Sequence, residues 1–277
     1  MKKASVIVVA LAIAVILTGY SYSLSKTRQA VQPLSNNASN GRVVFTFDDG
    51  PDIHTPALLA ELKVLHLRAV FFVIGDKIAA HSQMIRAEVA DGDVVADHTW
   101  DHQSFTGGST HSVALSDAEV KAELERTEQA IVAAGAPKPT LYRPPFGDIT
   151  GHYNDLAAAL GLRIVMPYEV LPTYTPRIVD SMDWTGISAQ QIVSDVTKGY
   201  VSDGVHYPGI DGGSIIAMHE SAPGKCMGEP ALCGDALQTI AALPGIVAYM
   251  NAHHLGMTVD VPLDATGHAV PNMPIGS

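Results

Sequence analysis

Short apolar segments alternate with amphipathic ones from Arg42 onward, and this alternation constrains the fold more than any other feature of the chain. The first apolar segment, residues 43–47, is rich in β-branched and aromatic residues and predicts a buried strand. Thr55-Pro56 then predicts the start of a helix that reaches about His66. Repeated strand–helix units predict a parallel sheet, and their number within about 220 residues predicts a barrel rather than an open sheet.

The other predicted elements follow the same alternation. Strands are predicted at residues 69–74, 93–96, 140–143, 164–165, 178–179, 214–218 and 257–259. Helices are predicted at residues 78–90, 116–134, 152–160, 188–198 and 235–254, with Pro244-Gly245 as a candidate interruption of the last. Ser116 and Glu119 have the spacing of a capping box, which predicts the start of a long helix there.

The N-terminal segment has the pattern of an export signal. Lys2 and Lys3 precede an uncharged, mainly apolar stretch at residues 4–19. Residues 1–23 are therefore predicted to be a signal peptide, with an uncleaved membrane anchor as the alternative. Residues 24–40 are predicted to be a linker, 41–262 one domain and 263–277 a tail. We expect an exported protein, secreted or associated with the cell envelope.

Charge and cysteine content narrow the classes of function. The net charge is −11 and no stretch is strongly basic, which argues against binding to nucleic acid. Cys226 and Cys233 are close in sequence, and in an exported chain they predict a disulfide that closes a small loop. Two unpaired thiols are the alternative.

Two groups of polar residues follow predicted strands and have the composition of a metal site. Asp48 and Asp49 come directly after residues 43–47, and two carboxylates at the mouth of a buried strand are costly unless a cation lies nearby. His98 and His102 follow the strand at 93–96, and their spacing of four predicts one helical turn with both rings on the same face. One carboxylate and two imidazoles suit a divalent metal with open coordination positions.

Further polar residues follow later strands but have weaker signals when taken singly. Arg143 ends one predicted strand, Asp183 and Trp184 follow another, and His219 ends a third. An arginine in such a place is commonly a surface charge, a tryptophan commonly belongs to a core, and a histidine is more often structural than catalytic. Their order along the chain is the informative property.

In that order, the motifs resemble those of NodB-type polysaccharide deacetylases, carbohydrate esterase family 4. The motifs are Thr46-Phe-Asp-Asp-Gly50, His98-Thr-x-x-His102, Arg143-Pro-Pro-Phe-Gly147, Asp180-Ser-x-Asp-Trp184 and Ile216-x-Met-His219. The resemblance covers roughly residues 42–261, nearly all of the predicted domain. It implies an α/β fold, a distorted (β/α) barrel with fewer than eight complete units.

The resemblance also implies a division of roles among the polar residues. Asp48 would be the general base, and Arg143 would pair with it. The metal ligands would be Asp49, His98 and His102, with Zn²⁺ as the first expectation and Co²⁺, Mn²⁺ or Ni²⁺ as alternatives.

For the substrate side, His219 would be the general acid, and Asp183 would keep it protonated. The backbone N–H of Phe146 would help to form an oxyanion hole, Trp184 would line the acetyl pocket, and Pro145 would belong to the same substrate-binding surface.

Some positions depart from the family pattern or stay open. Phe146 stands where Tyr is usual, Asp97 where Asn is frequent, and Ala217 where Leu is common. Trp100 lies between the two ligand histidines, where either sugar stacking or packing would account for it.

The expected function is metal-dependent hydrolysis of N- or O-linked acetyl groups from an extracellular or cell-wall polysaccharide. The expected partner is that acetylated glycan, and the sequence indicates no protein partner. The alternatives are a catalytically silent carbohydrate-binding barrel and an amidase acting on a small substrate that is not a sugar.

Overall fold

The computed structural model describes residues 33–34, 40–109, 112–148, 150–165, 178–221 and 236–261. The chain divides into units at residues 1–33 and 34–277, and all elements below belong to the second. The predicted export segment, the tail at 263–277, Cys226 and Cys233 lie outside the described residues. Within the described ranges, no helix has the length and apolar character needed to cross a membrane.

The sheet contains eight strands and all of its pairings are parallel. Its strands are β1 (Arg42–Gly50), β2 (Ala69–Val73), β3 (Val94–Asp97), β4 (Leu141–Tyr142), β5 (Arg163–Ile164), β6 (Ile178–Asp180), β9 (Ile215–His219) and β10 (Gly256–Met257). The spatial order is β5-β4-β3-β2-β1-β9-β6, and β10 pairs with β1. This curved sheet confirms the predicted distorted barrel with fewer than eight complete units.

The helices follow the predicted alternation. They are α1 (Thr55–Leu65), α2 (Gly75–Asp91), α3 (Asp117–Ala134), α4 (Gly151–Ala159), α5 (Ala189–Lys198) and α6 (Ala236–Ala252). At the start of α3, Ser116 and Glu119 form the predicted capping box, each side chain bonding the other residue's backbone N–H. Gly135 ends this helix at a φ of 105°, a left-handed conformation that a side chain would disfavour.

The core lies around the central strands of the sheet. Every residue of β1 except Arg42 is buried, and all of β2 is buried. The rings of Phe47 and Phe71 stack at 5.5 Å between these two strands. Strands in the middle of a parallel sheet are covered on both faces, which explains why their sequences are continuous apolar runs rather than alternating ones. The polar groups of these strands are therefore concentrated at their carboxyl ends.

Three local features differ from the prediction. An antiparallel hairpin, β7 (Tyr200–Ser202) and β8 (Val205–Tyr207), was missed, although the Asp203-Gly204 pair at its tip is a typical hairpin signal. Helix α2 begins at Gly75, three residues before the predicted start. Helix α6 continues through Pro244 instead of breaking there.

Tertiary packing accounts for the Pro-Gly pair within α6. A Cβ atom on Gly245 would lie 2.7 Å from Cγ2 of Val193 in α5, closer than two side chains can approach. The glycine therefore permits close contact between the two helices, and this packing is stronger than the local tendency of Pro-Gly to end a helix.

Candidate active site

The register of the sheet brings the predicted site residues to one edge. Asp48 pairs with His219 across β1 and β9, and Asp97 pairs with Tyr142 across β3 and β4. The carboxyl ends of these parallel strands therefore meet at a cleft of about 550 Å³. The cleft is lined by Asp48, Asp49, Ile74, Asp76, Lys77, His98, Asp101, His102, Ser109, Arg143, Pro144, Phe146, Gly147, Asp180, Trp184, Ala217 and His219.

Asp49, His98 and His102 place three potential metal ligands around one point. Nε2 of His98 lies 3.2 Å and Nε2 of His102 lies 3.1 Å from Oδ1 of Asp49. Neither contact has the geometry of a hydrogen bond, so this buried oxygen has no hydrogen-bond partner among the described residues. Burial alone raises the pKa of Asp49, but the neighbouring His102 and His98 hold it well below its ordinary value. An unsatisfied carboxylate oxygen facing two imidazole nitrogens fits a divalent cation.

The two histidines meet through a loop, so the predicted helical turn is wrong. Thr99 and His102 have φ values of 68° and 62°, in the left-handed region. Within the loop, the N–H of Thr99 donates to Oδ1 of Asp97 at 2.8 Å, and the N–H of His102 donates to Oγ1 of Thr99 at 3.2 Å. These side-chain bonds replace the backbone ladder of a helix. The spacing predicted the proximity of the two rings, but for the wrong physical reason.

The orientation of His98 is set by a backbone carbonyl. Its Nδ1 donates to the carbonyl oxygen of Arg143 at 2.6 Å, and its other ring nitrogen, Nε2, is directed at Asp49. Burial raises the pKa of the adjacent Asp97 well above its ordinary value and so favours the neutral acid.

A buried ion pair connects Asp48 to Arg143. Nη1 of Arg143 donates to Oδ1 of Asp48 at 2.6 Å and to Oγ1 of Thr46 at 2.9 Å. Nε donates to the carbonyl oxygen of Val165 at 2.9 Å, and the guanidinium lies over the ring of Phe72. The arginine is 1% exposed and is held at three points, so the carboxylate of Asp48 has a fixed position at the floor of the cleft.

Asp183 holds His219 from behind. Nδ1 of His219 donates to Oδ1 of Asp183 at 2.7 Å, and the backbone N–H of His219 donates to Oδ2 at 2.8 Å. Thr239 donates a further bond to Oδ2 at 2.7 Å. Burial lowers the pKa of His219, but the charge and hydrogen bond of Asp183, aided by Asp49 and Asp48, raise it to about 10. The arrangement maintains a protonated imidazole whose Nε2 is available to the cleft.

The predicted substrate-binding residues occupy different positions. Phe146 lies in a short 3₁₀ turn, Pro145–Gly147, at a φ of 59°, and its ring meets that of His102 at 4.6 Å. Trp184 lines the cleft and donates from Nε1 to Asp180 at 3.3 Å. Pro145 is buried within this turn, and the residue before it, Pro144, lines the cleft. The assignment of Pro145 to the substrate-binding surface stays a prediction.

Trp100 has a packing role. The guanidinium of Arg126 covers one face of its ring at 4.0 Å. A Cβ atom on Gly75 would lie 2.7 Å from Cε3 of Trp100, so the ring fills the space above that glycine. Of the two roles open from the sequence, the structure supports packing.

Sequence reasoning missed three residues beside Asp49. The ammonium group of Lys77 lines the cleft and donates to the carbonyl oxygen of Asp49 at 2.5 Å. Ser221 donates to the same oxygen at 2.7 Å, and the carboxyl of Glu220 is buried beside Gly50. Lys77 lies outside the recognised motifs and carries no local signal. Glu220 and Ser221 directly follow His219, and this adjacency was the one available clue.

Comparison with known proteins agrees with this geometry. A family model described as polysaccharide deacetylase matches residues 35–165. A bifunctional xylanase/xylan deacetylase from Cellvibrio japonicus is 34% identical over 184 residues, which is 66% of this chain and 23% of that protein. Chitin deacetylase 1 from Cryptococcus neoformans is 29% identical over 183 residues, which is 64% of this chain and 36% of that protein. The match thus covers less than a quarter of the first relative and little more than a third of the second.

A solved structure matches over a larger share of both chains. The family 4 carbohydrate esterase from Streptomyces lividans, in complex with acetate, is 32% identical, with a TM-score of 0.63. The match covers 84% of this chain and 99% of that one. With this sequence identity and near-complete coverage, the chain belongs to the polysaccharide deacetylases of carbohydrate esterase family 4.

Proposed function

We propose that this protein hydrolyses acetyl groups from an acetylated polysaccharide in a metal-dependent reaction. One observation carries the proposal: the Asp49/His98/His102 group, the Asp48–Arg143 pair and His219, which Asp183 holds from behind, all face one cleft. The xylan and chitin deacetylases among its relatives support a glycan as the substrate class.

The ligand set Asp49, His98 and His102 would hold a divalent cation, with Zn²⁺ the first choice and Co²⁺, Mn²⁺ or Ni²⁺ the alternatives. When bound, such a cation supplies polarisation of the acetyl carbonyl and a lower pKa of the attacking water. Asp48, fixed by Arg143 at 2.6 Å, then accepts the proton of that water as its oxygen bonds to the carbonyl carbon.

His219 completes the reaction on the leaving side. Its raised pKa keeps a proton on the ring at neutral pH, and Nε2 gives that proton to the departing sugar nitrogen or oxygen. The bond between the acetyl carbon and the sugar breaks in this step, and acetate and the free amine or hydroxyl result. Asp183 retains its charge and stabilises the imidazolium before the transfer.

Phe146 and Trp184 complete the pocket around the acetyl group. The hydrogen bonds of the turn at Pro145–Gly147 run from the N–H of Gly147 to Pro144 and from the N–H of Asp148 to Pro145. They leave the N–H of Phe146 to donate to the developing oxyanion. Trp184, held by Asp180, would form the wall against the acetyl methyl group.

Acetate release from glycans tests this proposal. Wild type, Asp48→Asn and His98→Ala are compared on acetylxylan, acetylated chitooligosaccharides and peptidoglycan, each with and without chelation of divalent metals. We expect metal-dependent release by wild type on at least one substrate and a loss of at least about a hundredfold in both variants, because base and metal contributions are of this size.

The matched control is His206→Ala, an exposed histidine on β8 that lies outside the cleft. It should retain wild-type activity. Equal acetate release by all four proteins, or release that survives removal of the metal, would contradict the mechanism. Binding to these glycans without any release would favour the silent barrel. Release from small acetamides alone would favour the amidase.

We also infer that the protein is exported. The charged start at Lys2 and Lys3, followed by the apolar stretch at residues 4–19, supports this. Fractionation of cells that express the full chain, with N-terminal sequencing of the recovered protein, distinguishes a cleaved signal from a retained anchor.

A further inference from the structure

Asp49 has a backbone conformation that needs outside support. Its φ of 72° lies in the left-handed region, which costs a residue with a side chain of the order of 1–3 kcal/mol. Such a conformation persists when the surroundings hold it. Because the side chain leaves from this Cα atom, the conformation also decides where the carboxylate points.

Two donors hold the carbonyl group of Asp49. Nζ of Lys77 lies 2.5 Å from this oxygen, and Oγ of Ser221 lies 2.7 Å from it. Nζ of Lys77 also donates to Oγ of Ser221 at 3.0 Å, so the three groups form a closed set. Lys77 is half-buried and Ser221 is buried, which makes these hydrogen bonds stronger than exposed ones.

The first turn of α2, which carries Lys77, also holds the histidine loop. The N–H of Gly75 donates to the carbonyl oxygen of Thr99 at 3.0 Å, and the N–H of Asp76 donates to that of Trp100 at 2.8 Å. The same turn therefore contacts both chain segments that supply metal ligands. Since the ligands come from positions about fifty residues apart, a shared support can set the distance between them.

We propose that Lys77, with Ser221, is a positioning residue that holds the backbone of Asp49 so that its carboxylate meets His98 and His102 at the metal. This inference rests on the proposed function, and deepens it by assigning a support for the metal site. Lys77 acts through the carbonyl of Asp49, to which its Nζ donates, and is not one of the three metal ligands.

The direction in which metal affinity changes when Lys77 is replaced distinguishes a positioning role from a simple charge effect. A lysine that only placed a positive charge in the cleft would repel a divalent cation, and its removal would tighten metal binding. A lysine that positions Asp49 stabilises the ligand geometry, and its removal would weaken metal binding. Supporting residues of metal ligands typically change affinity by about 10–100-fold.

The experiment measures the dissociation constant for Zn²⁺ by competition with a chromophoric chelator, using metal-stripped protein. The variants are Lys77→Met, Lys77→Arg and Ser221→Ala, and the matched control is Lys63→Met, an exposed lysine on α1 paired with Asp91. We expect the constant to rise about tenfold or more in Lys77→Met. Ser221→Ala should show a smaller rise, Lys77→Arg should retain most of the affinity, and the control should match wild type.

Several outcomes would overturn the inference. Wild-type affinity in both Lys77→Met and Ser221→Ala would do so, as would tighter binding in Lys77→Met. If Lys77→Met does not fold, Ser221→Ala decides, because it removes one of the two donors and leaves the lysine in place. Failure of wild type to bind any divalent metal would instead refute the proposed function, so the two failures are distinguishable.

Discussion

The pair formed by Asp183 and His219 offers a quantitative test of the proposed general acid. The substitution Asp183→Asn keeps the shape of the side chain and an oxygen to accept from Nδ1 of His219, but removes the negative charge. Because that charge is the first contribution that raises the pKa of His219 to about 10, its loss should lower this pKa. An opposite charge in direct contact shifts a pKa by about 1–3 pH units, so we expect a fall of this size.

The same contact contributes to stability with a defined pH dependence. The pKa of His219 is higher in the folded protein than its ordinary value of 6.5, so the folded state holds the proton more tightly. The stabilisation is therefore complete below about pH 6.5 and is lost as the pH rises through about 10. Each pH unit of difference between the folded and ordinary pKa values corresponds to about 1.4 kcal/mol, so the raised pKa of His219 contributes at most roughly 5 kcal/mol to the free energy of unfolding.

The assay is NMR titration of the histidine rings in metal-stripped protein, with the His219 signal assigned by its absence in His219→Gln. Urea unfolding at pH 6 and pH 10 gives the second readout, and the stability difference between wild type and Asp183→Asn should be larger at pH 6. The matched control is Thr239→Val, which removes a hydrogen bond to Asp183 but leaves its charge. An unchanged pKa of His219 in Asp183→Asn would refute the reasoning.

Two further predictions concern buried contacts of the site. In Gly50→Ala, the new Cβ atom would lie 1.4 Å from Oε1 of Glu220, so we expect destabilisation of about 1–3 kcal/mol or more in urea unfolding. Adding Glu220→Ala should relieve the clash, and additive effects of the two changes would contradict this contact. Arg143→Met leaves the carboxylate of Asp48 buried without its ion partner, and we expect a loss of about 3–5 kcal/mol at pH 7. The double variant Arg143→Met/Asp48→Asn should be more stable than Arg143→Met alone, because it no longer buries an unpaired charge. Equal stability of the two variants would contradict the ion-pair account.

The local pattern of the chain is sufficient to predict the order of elements and the residues at the strand ends. The apolar runs at β1 and β2 reflect burial of these strands on both faces. The capping box is formed by Ser116 and Glu119, which are only three positions apart in the chain. Both signals depend on neighbours in sequence, so they are readable without a structure. The hairpin at β7 and β8 had such a signal too, in Asp203-Gly204, and was missed.

What the tertiary structure alone decides is how distant segments meet. The loop that joins His98 to His102 depends on left-handed φ values at Thr99 and His102, which the four-residue spacing does not reveal. The support of Asp49 by Lys77 depends on the first turn of α2 lying next to the carboxyl end of β1. Such contacts are determined by strand register and helix packing between segments far apart in the chain, whereas composition and periodicity report only the nearest neighbours.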